Sequence, residues 1–574
     1  MNPDASDSSH FTPGRMSDQS RTEVMNARIR ALLLPLALLP AHAAALDHIA
    51  IDTLPIRVPQ HVVISNGTER SYGIHVSAGT YLQGDLAVAL GRISLHLETP
   101  EHVHLRLLEE NARGTRTFRH VSDGAPLLLT ISAGDDAPAE ATLTLTHAIP
   151  PGEQEGQDAL PQSPTLRALA GVLASGGDTD SFWADMAARG TPLREPAPDG
   201  SRNQILVTFL YRGAARNVRL WGGPSNDHDW LERLGDSEVW YRTYLVPDSL
   251  RLFYRLAPDV PRIPGNPGER RRALLAVAQA DPLNTTPVPG DAPDAYGRYS
   301  YLELGGAPPQ PGYPPDLVIS GRIEHYPFTS AILGNMRDIT LYLPAGFDPE
   351  DPANVLLFVF DGADYLSARA PIPGMLDRLI AQGRLPPVAA VFVDAVDPDL
   401  RARELTCDPG FADMLATELL TEVVTRTGLA QDPGRTAVAG SSFGGLAAAC
   451  AAYRHPQAFG NFLSLSGSYW WQPADYPPDG TPADAMPHVS DLFARAPRLP
   501  LRAYLSAGTF EAGKGGDTDI LGGTRHLRDV LRLKGYEDVF YREYAGGHDY
   551  AIWRGSLTDG LLDLFGTSGQ DTGR

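Results

Sequence analysis

A serine, a carboxylate and a histidine, met in that order along 574 residues, are the side chains best placed to do chemistry together. Ser442 stands in Gly440-Ser441-Ser442-Phe443-Gly444, inside the run TAVAGSSFGGLAAAC at 436–450. A short apolar strand enters this motif and a small-residue helix leaves it, which is the context G-x-S-x-G requires. The sharp turn holds the serine in a strained conformation with Oγ clear of the sheet, and the flanking glycines leave room for the neighbouring backbone. Ser442 is therefore the candidate nucleophile. His548 follows Gly546-Gly547, which suits a loop that must approach the nucleophile closely, and it is the candidate base and later acid. A third group must hold the imidazole in the productive tautomer. Glu511, three residues past the end of the strand-like run 501–508, is the favoured acid; Asp517 and Asp519, in the glycine-rich loop 513–523, are its rivals. The chemistry would be acyl transfer through a serine, and the order serine, acid, histidine is that of α/β-hydrolases.

An acyl-transfer site also needs two backbone donors for the developing oxyanion. Phe443 N–H, just after the nucleophile, is one. The apolar run VLLFVF at 355–360 reads as a strand buried on both faces. It ends in Asp361-Gly362-Ala363, and Ala363 N–H is the second expected donor.

These loops need a sheet to position them. Apolar runs at 355–360, 388–393, 436–440, 461–466 and 501–506 alternate with helical stretches such as 411–427, which Gly428 should terminate. The reading is an α/β-hydrolase domain over 311–570, with a mostly parallel sheet, preceded by two all-β sandwich domains. Alternation at 93–97, 104–108 and 141–145 marks the first, over 46–150, and 150–164 is a polar linker. Its opening Gly79-Thr80-Tyr81-Leu82-Gln83-Gly84-Asp85 is similar to accessory domains of the pre-peptidase C-terminal type. The second, over 165–305, opens with a helical segment at 166–193. Strand-like runs at 204–211, 217–221, 239–246 and 249–256 follow and suggest an immunoglobulin-like sandwich. Residues 262–271 and 281–297 read as exit linkers.

Composition excludes some classes. With 43% hydrophobic and 20% charged residues the chain is globular, and a net charge of −21 argues against nucleic acid as a partner. Residues 1–45 read as an overextended start plus a signal peptide. Met25–Arg30 is a basic region, 31–40 (ALLLPLALLP) an apolar core, and Ala41-His42-Ala43 a cleavage motif. The apolar core is too short to span a bilayer, so the mature chain should carry no transmembrane segment and be periplasmic. Cys407 and Cys450 are the only cysteines. Export permits them to pair, but Cys450 reads as a small packed residue on the nucleophile helix and their bonding stays open.

Several of these residues together carry a resemblance. Gly440–Leu446 (GSSFGGL), Leu465–Trp471 (LSGSYWW), Gly546-Gly547-His548-Asp549 with Trp553-Arg554, and Arg401–Asp408 (RARELTCD) resemble the enterochelin (enterobactin) esterases. The 165–305 region, with Asp281-Pro282-Leu283-Asn284, is similar to that family's N-terminal domain. The resemblance implies hydrolysis of the serine trilactone of a catecholate siderophore. No cofactor would be needed, iron arriving only as part of the substrate. Arg401 and Arg403 would attract its negative charge, while Tyr469, Trp470 and Trp471 would wall its rings. Export and the extra β-domain depart from the family's usual cytoplasmic form. They leave a second reading, an exported esterase acting on feruloyl or acetyl esters of polysaccharide.

Overall fold

The structure, a computed structural model, describes residues 52–133, 138–151, 161–225, 228–264, 266–313, 318–474, 476, 486–513 and 519–567. The signal-like segment and Asp517 lie outside them. The chain forms two compact units, 1–156 and 157–574. Among the described residues no helix is long and apolar enough to cross a membrane.

In the first unit, alternating apolar residues do form strands, but longer ones than expected. Tyr81–Glu98 and His104–Val121 each run for 18 residues. The unit is one six-stranded antiparallel sheet rather than the expected pair. Tyr81–Glu98 accounts for the difference. Its first half pairs with Ala139–Ile149, its second half with Leu127–Ala133, and its other edge with His104–Val121. The inward set, including Leu86, Ile93, Leu95, Leu129 and Leu143, is fully buried.

The second unit opens with two helices, Pro164–Ala174 and Asp180–Arg189, where one was expected. Two four-stranded antiparallel sheets follow. The first contains Gln204–Arg212 and Val239–Pro247, the second Arg251–Pro258 and Tyr299–Glu303. Val207, Phe209, Val218, Leu220, Leu252 and Tyr254 from both sheets share one core. The expected linker at 262–271 is instead partly helical, Pro267–Val277. A reciprocal cap starts it: Glu269 N–H donates to Asn266 Oδ1 at 3.0 Å and Asn266 N–H to Glu269 Oε2 at 2.8 Å.

The hydrolase sheet has eight strands. Their order across the sheet is Arg322–Ser330, Asn335–Leu343, Val388–Val393, Val355–Phe360, Thr436–Ser441, Asn461–Leu465, Arg502–Gly508 and Val539–Tyr544. The first two are antiparallel and the rest parallel. Val355–Phe360, Val388–Val393 and Thr436–Ser441 are buried at every position, as strands covered on both faces must be. From Val355–Phe360 the chain moves to one side, then returns to the other at Thr436–Ser441. That reversal opens a crevice at the strands' carboxyl ends, where open α/β sheets place their ligands. The helix expected at 411–427 is present in three pieces, with a π-helical turn at Met414–Leu419, and Gly428 ends it at φ 76°.

Candidate active site

Ser442 lies between Thr436–Ser441 and the helix Phe443–Arg454, at φ 59° and ψ −122°. A side-chain-bearing residue rarely holds such a conformation without support. Two backbone bonds supply it here: Ser442 N–H donates to Leu465 O at 3.0 Å, and Ser468 N–H to Ser442 O at 3.1 Å. Gly440 has to be glycine, because a Cβ there would lie 2.6 Å from the Gly444 backbone. Ser442 Oγ lies 3.3 Å from Ser468 Oγ.

Glu511 is 1% exposed and lies 2.6 Å from His548 Nδ1 through Oε1. Its other oxygen accepts Gly508 N–H at 2.6 Å and Ser466 Oγ–H at 2.7 Å. A carboxylate so held can only accept from the ring, so Nδ1 is the donor of this pair. Trp553 donates Nε1–H to Ser466 Oγ at 2.9 Å and stands edge-on to His548, centroids 4.7 Å apart. The rival Asp519 is occupied elsewhere, capping the helix Ile520–Leu533 by accepting Gly522 N–H at 2.8 Å.

Other expectations need correction. Ala363 N–H donates to Asp394 Oδ1 at 2.5 Å, so this donor is committed to a carboxylate instead of standing open for an oxyanion. Burial pushes the Asp394 carboxyl up, and the Ala363 N–H opposes that shift. Tyr469 is fully buried and donates its hydroxyl to Ser464 Oγ at 2.6 Å, so it belongs to the core and walls nothing. Trp471 is half-buried and packs on the same core, edge-on to His488. Trp470 is 37% exposed, its ring 5.9 Å from that of Phe443. Arg401 does reach the site, lying 5.9 Å from the Phe443 ring centroid. However, it grips Asp361 at two points, 2.6 and 2.7 Å, so its charge is paired. Arg403, two positions along the helix Pro398–Glu404, is exposed and makes no ion pair among the described residues.

Sequence reasoning gave no role to Asp361, Ser466, Ser468 or Trp553. The last three fall in segments that carry the family resemblance. Asp361 ends the buried strand Val355–Phe360 in a left-handed conformation, φ 56°. Cys407 and Cys450 are joined by a disulfide, which ties the segment after the Arg401 helix to the helix Phe443–Arg454. A cavity of about 580 Å³ opens beside Ala363, lined also by His325, Asp338 and Asp394. Among the described residues no cluster of His, Cys, Asp and Glu has metal-binding geometry.

Fold and site geometry together define an α/β-hydrolase of the carboxylic-ester-hydrolase class. An Esterase family model matches residues 330–564, and a model for the N-terminal region of enterochelin esterase matches 206–313. The iron(III) enterobactin esterase of Dickeya dadantii is 32% identical over 420 residues, covering 67% of this chain and 92% of that one. The iron(III) salmochelin esterase of Escherichia coli O6:H1 is 30% identical over 425 residues, covering 69% and 96%. The crystal structure of the Shigella flexneri enterobactin esterase, obtained in the presence of enterobactin, superposes with a TM-score of 0.54 at 28% identity, covering 67% of this chain and 97% of that one. The chain belongs to the iron(III) enterobactin esterase family.

Proposed function

We propose that this protein hydrolyses the trilactone ester bonds of a catecholate siderophore such as enterobactin, with or without ferric iron, and so aids iron release. One observation carries the reading: a buried Glu511 holds the His548 ring, in a chain that has a strained strand-to-helix turn at Ser442 and matches nearly the whole length of enterobactin and salmochelin esterases. Ser442 attacks an ester carbonyl while His548 Nε2 takes its proton. Phe443 N–H steadies the oxyanion, and His548 returns the proton to the departing seryl hydroxyl. Water then releases the acyl group by the reverse sequence. Iron enters only as substrate cargo. Trp470 and Phe443 offer aromatic surface to a catechol ring, and Arg403 offers an open charge. The two sheets of the second domain are read as an immunoglobulin-like sandwich, and the first unit as an accessory domain of the pre-peptidase C-terminal type. The protein is proposed to work in the periplasm after signal removal.

Incubation with ferric and apo enterobactin, followed by mass spectrometry of linear products, tests the substrate. Feruloyl and p-nitrophenyl esters are run alongside. Cleavage of feruloyl esters with enterobactin left intact would replace this reading by the polysaccharide-ester one.

A further inference from the structure

Two of the three loops that carry the site rest on the second domain. The loop bearing His548 is bracketed by that domain's strand Arg251–Pro258. Arg251 N–H donates to Ala545 O at 3.0 Å, and Phe253 N–H donates to Asp549 Oδ2 at 3.2 Å. His548 sits between these anchors. The backbones meet so closely at Gly546 that a Cβ there would lie 2.8 Å from Arg251 O. The acid loop joins the same contact. Phe510 N–H donates to Gly546 O at 3.1 Å, and the Phe510 side chain packs on the second domain's core, one residue before Glu511. Behind them the fully buried Arg554 donates to Tyr301 OH at 2.9 Å and to Gln310 Oε1 at 2.7 Å.

Asp549 is the joint between the domains. Its Oδ1 accepts Ala551 N–H at 2.5 Å and caps the helix Tyr550–Phe565. Its Oδ2 is left for Phe253. One carboxylate thus satisfies two backbone donors, one from each domain, immediately beside the catalytic imidazole. Misplacing a catalytic group by about 1 Å can cost on the order of a hundredfold in rate, so the anchor on this loop bears on turnover.

We propose that Asp549 is a positioning residue, and that through it the second domain holds the His548 imidazole in register with Glu511 and Ser442. The proposal rests on the triad reading above.

The test compares Asp549→Ser, Asp549→Ala and Ser442→Ala in the full chain. Each is assayed for kcat and KM on a p-nitrophenyl ester from pH 5 to 9 and for melting temperature. Serine keeps a cap oxygen for Ala551 N–H but has no second oxygen for Phe253 N–H. Both Asp549 variants should lose about tenfold or more in kcat with KM within about twofold, and the serine variant should melt within a few degrees of the parent. Parental kcat in Asp549→Ser would overturn the proposal and leave Asp549 as a helix cap only. Parental turnover in Ser442→Ala would instead overturn the triad reading. An inactive Ser442→Ala beside a parental Asp549→Ser sinks the positioning role alone.

Discussion

Ser442 packs little at the top of its sheet, so Ser442→Ala should leave the melting curve intact while lowering ester turnover at least about 10³-fold. Glu511→Gln should cost nearly as much, because an amide cannot accept from His548, Ser466 and Gly508 as the carboxylate does. Asp519→Asn, which keeps a helix cap, should turn over like the parent. Equal losses in the two would unseat Glu511. The arginines separate in the same way. Arg403→Gln should weaken turnover of ferric enterobactin several-fold, an effect that fades with added salt, while leaving a neutral p-nitrophenyl ester untouched. Arg401→Gln should depress both substrates, since it strands Asp361 against the first turn of the nucleophile helix. If Arg401→Gln affected only the ferric substrate, Arg401 would be a ligand residue after all. The strand-to-helix turn at Ser442 and the Glu511–His548 pair were legible because chain order and glycine spacing encode them. The Arg401–Asp361 pair was not, because its partners lie 40 residues apart and only the fold brings them together.

At the scale of elements, five of the eight strands of the hydrolase sheet stand where apolar runs put them, the antiparallel Arg322–Ser330 and Asn335–Leu343 were not expected, and the helix Phe443–Arg454 begins at the motif. Tyr469 was misread because it follows a tight turn after Asn461–Leu465, where the period that tells inside from outside is lost. The helix Pro267–Val277 was missed although Asn266 and Glu269 carry its start signal; three consecutive arginines in its first half hid it. The helix Tyr550–Phe565 carries a pH dependence. Burial pushes the Asp549 carboxyl up to about 6 from 3.8, while the Ala551 and Phe253 N–H groups pull the other way. An acid whose folded value lies above its unfolded one binds more protons in the folded state. Its contribution to stability is therefore full below about pH 4 and is lost as pH rises through 6. Asp549→Asn should cost more stability at pH 4 than at pH 7, measured by urea unfolding. A larger cost at pH 7 would reverse the sign and refute the burial account.

At the scale of the whole molecule, the division into an all-β first unit and a hydrolase-bearing second unit falls within the polar stretch 150–164 that the sequence marks as a linker. The single sheet of the first unit was not legible, because pairing partners of an 18-residue strand are set by bends that no local pattern encodes. Expression from Met25 should yield a periplasmic protein beginning near Ala44 or Leu46; N-terminal sequencing that finds Met25 retained in a cytoplasmic fraction would rule out export. The Cys407–Cys450 bond has a practical side. It closes a 43-residue separation, for which chain-entropy reasoning gives about 4 kcal/mol. Cys407→Ser/Cys450→Ser should accordingly melt several degrees lower, read by calorimetry, and an unchanged melting point would mean the loop is held without the bond. A preparation made in a reducing host is then a mixture of two species with one sequence and one mass to within two hydrogens. They would be separable on a non-reducing gel, and a specific activity measured on the mixture would report the oxidation history of the batch.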